Sequence, residues 1–124
     1  MQQRAHDLIL AGRLDEAQAI YAEMVAVNPG DWLGYLGQGR CEFERGSHRD
    51  VQAIGFYQEV TRLAPDEAGP AYWALGEIFH RKGRPSESVR VWFQHAAEKY
   101  LQKEQMTEYR MICKRVIELG LDPV

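Results

Sequence analysis

The 124-residue sequence holds two cysteines, Cys41 and Cys113, and neither belongs to a CxxC or other metal-ligand spacing. A disulfide framework and a cysteine-based zinc site are thereby excluded, and both thiols read as small buried hydrophobes of a reducing compartment. Histidine is as sparse: His6, His48, His80 and His95 lie far apart and no HExxH pattern joins any two, so no metal is expected. Charge of one sign is also lacking. Fifteen basic against eighteen acidic residues leave a net charge of −3, without the basic excess of a phosphate-binding surface, so no nucleic acid is expected as a partner. No apolar run approaches the roughly 18 residues of a membrane span, and the opening MQQRAHDLILAGR carries only a short one. No membrane insertion is expected, and the location expected is cytoplasmic unless a targeting segment has been removed.

Catalytic signatures are missing too. Gly34, Gly37 and Gly39 fall within a helical pattern with no preceding strand and no GKS or GKT, which points to close packing and not to a phosphate loop. Carboxylates such as Asp15 and Glu16 sit at a helix start, where they complement the dipole, and the acidic residues in general read as solvated. No nucleophile, base or cofactor-binding constellation emerges. No cofactor and no enzymatic activity are expected.

What is present is helical periodicity, clearest in AYWALGEIFHRKG from Ala71 to Gly83. Tyr72, Leu75, Gly76 and Phe79 share one face, which predicts packing against other helices, and Trp73, Glu77, His80 and Arg81 share another. Gly83 predicts a helix stop, and Pro85 suits the first turn of a second helix. The arrangement recurs. GRLDEAQAIYAEMVAVNP from Gly12, GSHRDVQAIGFYQEVTRLAP from Gly46 and GRPSESVRVWFQHAAEKY from Gly83 can be laid side by side. Ala17, Ala53 and Ser88 then correspond, as do Tyr21, Tyr57 and Trp92, each a small residue followed four places later by a ring. A recurrence near every 35 residues marks a helical-repeat protein.

These residues resemble the tetratricopeptide repeat motif, Trp-x2-Leu-Gly-x2-Tyr, then Gly, then Ala-x3-Phe-x2-Ala, then Pro. The first unit supplies Leu8, Gly12, Ala17, Tyr21 and Pro29, the second Tyr35, Gly39, Gly46, Ala53, Tyr57 and Pro65, and the third Tyr72, Leu75, Gly76, Phe79, Gly83, Ser88 and Trp92. The resemblance implies an all-α fold: a right-handed α-solenoid of three helix-turn-helix units, 1–30, 31–67 and 68–102, with a capping helix and tail at 103–124, in a single domain. Between Gly46 and Ala53 the second unit has two residues more than the family spacing, so SHRD should bulge or its helix should start early. The third unit lacks the closing proline and has Tyr100 there, so its second helix should run on toward Gln102. Tyr109, Ile112, Cys113, Val116 and Ile117 then share a face of a final helix ending at Gly120, expected to cover the end of the stack.

In the resembled family the first helices line a concave groove that holds an extended peptide or a partner helix. Carried over by register, that groove presents Gln2, His6, Ile9 and Leu10, then Leu36, Arg40, Phe43 and Glu44, then Trp73, Glu77, His80 and Arg81. The implied function is protein–protein interaction, as an adaptor, scaffold or chaperone. The charged variant of the groove that grips a C-terminal carboxylate is not matched, because Gln2, His6, Gly37, Pro70 and Ala74 stand at its positions. YLGQGRCEFERG and the final helix are also similar to the translocator chaperones of bacterial type III secretion, although the dimerisation extension of those proteins is absent. A small-molecule sensor or enzyme on the same helices is the alternative of another class, and a homo-oligomer or a longer repeat array stays open.

Overall fold

The structure is a computed structural model that describes residues 2–124. Among these residues there are seven α-helices and no strand: α1 (Gln2–Leu10), α2 (Leu14–Val27), α3 (Trp32–Arg45), α4 (Asp50–Leu63), α5 (Gly69–Arg81), α6 (Ser86–Gln102) and α7 (Met106–Glu118). The chain is an all-α helical-repeat protein. The described residues divide into two compact units, 2–64 and 65–124, the first holding α1–α4 and the second α5–α7.

The helix boundaries follow from identifiable residues. Asp31 caps α3, its carboxylate accepting the Leu33 amide at 3.1 Å, and Asp15 and Glu16 lie in the first turn of α2, where negative charge is favoured. Gly83 takes the left-handed conformation, φ 74°, with the Gly83 and Arg84 amides donating to the His80 and Phe79 carbonyls. The two additional residues after Gly46 are absorbed in a single 3₁₀ turn, Ser47–Arg49, before α4. α6 runs on to Gln102, as the missing proline implies.

In the first unit Ala5, Leu8, Ile9, Ala17, Tyr21 and Cys41 form a core beneath α1, α2 and α3, and Ala53, Tyr57 and Val60 bury the inner face of α4. Close approach is what the glycines of α3 provide. A Cβ on Gly37 would overlap the Tyr21 ring, and one on Gly39 would come within 2.9 Å of the Tyr57 ring. One carboxylate departs from the solvated expectation. Glu42 is 1% exposed, and Arg49 and Arg45 hold it at 2.6 and 3.2 Å, while Arg45 also reaches Asp15 at 2.7 Å. Asp50 is buried as well. A buried carboxylate persists where cations and hydrogen bonds replace its water, and here it ties α2, α3 and the 3₁₀ turn together.

In the second unit the core is Val89, Phe93, Ala96, Ala97 and Tyr100 of α6 with Ile112, Val116 and Leu121. This corrects the register expected for the third repeat. Ser88 is exposed and Trp92 half-buried, whereas Val89 is 1% and Phe93 0% exposed, and it is Phe93 that lies on Gly76. The reason is local. Pro85 is extended (φ −54°, ψ 141°) and stands before the first turn of α6, so two residues separate Gly83 from the helix where Arg13 alone separates Gly12 from α2. Counted from the residue preceding each second helix, Ala17, Ala53 and Val89 all come fourth, and Tyr21, Tyr57 and Phe93 eighth. Trp92 instead stacks between Phe79 and Tyr72, at centroid separations of 5.7 and 6.1 Å. Those two residues of the expected packing face are thus half-buried, while Leu75 and Gly76 are buried as expected. On α7, Ile112 and Val116 are buried, but Ile117 is 68% exposed and lies outside the core.

Candidate functional site

Four residues of the groove inferred from sequence converge in the first unit. Gln2 and His6 on α1 and Leu36 and Arg40 on α3 line one open cleft of about 410 Å³. Helical spacing places each pair on one face: His6 is four residues after Gln2, and Arg40 four after Leu36. Arg40 Nη1 donates to His6 Nδ1 at 2.9 Å. A guanidinium can only donate, so Nδ1 is the acceptor and the ring hydrogen lies on Nε2. This bond holds the Arg40 head in the cleft lining, where it brings positive charge.

The cleft also contains Gly37, which the register of the carboxylate-gripping groove places beside Gln2 and His6, and Gln3, Leu33 and Tyr21, which the sequence did not assign to it. Leu33, Leu36, Gly37 and Arg40 recur at helical spacing, so periodicity along α3 was a sufficient signal for Leu33. The repeat pattern marks Tyr21 as a packing ring. It does pack, 5% exposed against Gly37, and its upper edge forms the cleft floor. Burial pushes its hydroxyl above the usual phenol value, with Cys41 adding to the rise and Arg40 opposing it, so the floor is a neutral phenol at physiological pH.

The remaining groove residues are distributed elsewhere. Ile9 is 7% exposed and belongs to the core, because α1 packs on α2 and also touches α3, which buries two adjacent faces. Leu10 is exposed at the end of α1, Phe43 is half-buried and Glu44 exposed. In the second unit Trp73 meets the Tyr100 ring edge-on at 6.3 Å. Glu77 accepts a bidentate pair of hydrogen bonds from Arg115 of α7, Nε to Oε2 at 2.9 Å and Nη2 to Oε1 at 2.9 Å. His80 and Arg81 are exposed. Trp73 and Glu77 are therefore engaged within their own unit.

A family model described as tetratricopeptide repeat matches residues 3–68, a stretch that holds every residue lining the cleft except Gln2, all of α2, α3 and α4, and α1 from Gln3 onward. The chain belongs to the tetratricopeptide repeat family. No curated protein matches it. Tetratricopeptide repeats generally mediate protein–protein interaction and are typically non-catalytic. Among the described residues of this repeat protein no three metal-ligating side chains come together, and no helix is long and apolar enough to cross a membrane.

Proposed function

We propose that this tetratricopeptide repeat protein acts as an adaptor or scaffold that holds an extended segment of another protein in the α1/α3 cleft. The observation that carries the proposal is the convergence of Gln2, His6, Leu36 and Arg40, from helices more than twenty residues apart, on one opening. Its chemistry is mixed in the manner of a recognition site. Leu33, Leu36 and the Tyr21 ring offer apolar contact, while Arg40 and the two glutamines Gln2 and Gln3 offer donors at the rim. An extended segment with an aliphatic side chain next to an acceptor group satisfies both. Gly37 leaves room for the Tyr21 ring in the cleft lining, since even a methyl there would overlap that ring and displace it.

The test starts from a displayed library of random peptides selected on the intact protein. Arg40→Ala and Leu36→Ala should each weaken the selected peptides by about 10-fold or more, the scale of an interface hot spot, with the melting temperature nearly unchanged. Titration calorimetry reads the affinity. Peptides that bind both variants as tightly as the parent would show that recognition lies outside this cleft.

A further inference from the structure

The helix α7 repeats the geometry of a first helix. Like α1, α3 and α5, it runs to a glycine of positive φ: Gly12 at 78°, Gly46 at 119°, Gly83 at 74° and Gly120 at 73°. Seven residues before each glycine stands a small or slender side chain, Ala5, Gly39, Gly76 and then Cys113. From α5 to α7 the match extends to Tyr72, Leu75 and Phe79 against Tyr109, Ile112 and Val116, at one constant offset. The amides of Gly120 and Leu121 donate to the Ile117 and Val116 carbonyls, as those of Gly83 and Arg84 do to His80 and Phe79.

In the earlier units this face lies under a second helix. Ala5 is fully buried, Gly39 carries the Tyr57 ring, and Gly69 and Gly76 carry the Tyr100 and Phe93 rings of α6. The corresponding residues of α7 are Met106, which is 39% exposed, and Cys113, which is half-buried, and Ile117 beside them is 68% exposed. Met106, Cys113 and Ile117 are spaced at i, i+7 and i+11, so they form one apolar stripe along the helix. Arg110 and Lys114 border it, both exposed and neither in an ion pair among the described residues. The following segment does not cover the stripe. Leu121 is buried in the α6 core, and Arg90 donates to the Asp122 and Pro123 carbonyls, which holds the segment against the start of α6.

We propose that α7 is the first helix of a fourth repeat and that its Met106–Cys113–Ile117 stripe docks an amphipathic helix of a partner protein, one with an aliphatic face and an acidic flank. A helix fits this face in shape, because the chain lays a second helix over the same face in each earlier unit. Arg110 and Lys114 supply charge complementarity, since their exposed cations suit carboxylates on the flank of such a helix. Met106 and Cys113 stand where glycines stand in α5, so the seat is shallower and takes aliphatic side chains in place of rings. This surface shares no residue with the α1/α3 cleft and its docking role does not rest on the function proposed for that cleft.

Cys113 reports occupancy of the stripe directly, since Cys41 is wholly buried and its thiol is pushed up to about 11. The probe is a lactam-stapled amphipathic peptide with leucines at i, i+3, i+7 and i+10 and glutamates along one flank, added to the intact protein during iodoacetamide labelling. At about four times its dissociation constant it should slow Cys113 labelling roughly fivefold, as mass action requires. A peptide with serines in place of the leucines should leave the rate unchanged. The double substitution Arg110→Glu and Lys114→Glu should transfer the preference to a lysine-flanked peptide, and Cys113→Ser should take up no label. Labelling that proceeds at full rate in millimolar glutamate-flanked peptide overturns the proposal. So does light scattering that finds a dimer in which Cys113 is already protected, which would make a second copy of this chain the occupant.

Discussion

Trp92 and Phe93 are adjacent in sequence and about 100° apart around α6, and this one-residue difference decides which of them holds the third repeat together. Phe93 is 0% exposed against Gly76, so Phe93→Ala should cost about 3–5 kcal/mol through lost burial and the cavity left behind. Trp92→Ala removes a half-exposed ring stacked between two others and should cost about 1–2 kcal/mol. Urea midpoints of the two variants decide between them, and the reverse order would restore the register expected from sequence. That register failed for a physical reason: periodicity identifies a face only after the helix start is known, and Pro85 moves the start by one residue. Cys41 adds a pH effect. Burial pushes its thiol from about 9 to about 11, so above pH 9 the unfolded chain releases a proton that the folded chain retains. Stability therefore falls as pH rises from about 9 to about 11, with a limiting slope of about 1.4 kcal/mol per pH unit. Chemical unfolding at successive pH values should show a shallower alkaline decline in Cys41→Ala. Tyr21 and Tyr100, raised by burial, and Tyr109, raised by its hydrogen bond with Cys113, contribute to the decline that remains.

At the level of helices, the turn glycines were legible because only a left-handed residue closes a helix so tightly, and Gly12, Gly46, Gly83 and Gly120 all have positive φ. The cleft was legible in part. Gln2, His6, Leu36 and Arg40 follow from the face each helix presents, but the Arg40–His6 hydrogen bond joins residues 34 positions apart, which no local pattern reveals. The same limit applies to Glu77. Its spacing with Trp73 marks a shared face, yet the partner that occupies it, Arg115, comes from α7. The two side chains are 21% and 36% exposed, so a double-mutant cycle with Glu77→Ala and Arg115→Ala should return a coupling of about 0.5–1 kcal/mol, at the upper end for ion pairs open to solvent. Thermal or denaturant unfolding of the four proteins measures it. A coupling near zero would leave burial of Ile112 and Val116 as the main attachment of α7.

Across the whole molecule, each of the two compact units has its own buried core, one around Ala17, Tyr21 and Cys41 and the other around Val89, Phe93 and Ile112. Stability in repeat proteins is set largely by neighbouring contacts, so a defect in one core should register mainly where it is made. Native-state hydrogen exchange of Phe93→Ala should therefore show its largest loss of protection in α5, α6 and α7, with α1, α2 and α3 close to the parent. Equal loss throughout would indicate one cooperative unit. The connectors have a further consequence, for how such a chain can change over evolutionary time. One residue lies between Gly12 and α2, two between Gly83 and α6, and three between Gly46 and α4, yet the small residue and the ring keep their places relative to each helix start. Insertions and deletions in these connectors thus leave the core register untouched, whereas a single residue gained or lost inside a helix would turn every later side chain by about 100°. Length variation among relatives should accordingly collect just after the turn glycines and be purged from the helices, so the repeat period can drift while the packing it encodes stays fixed.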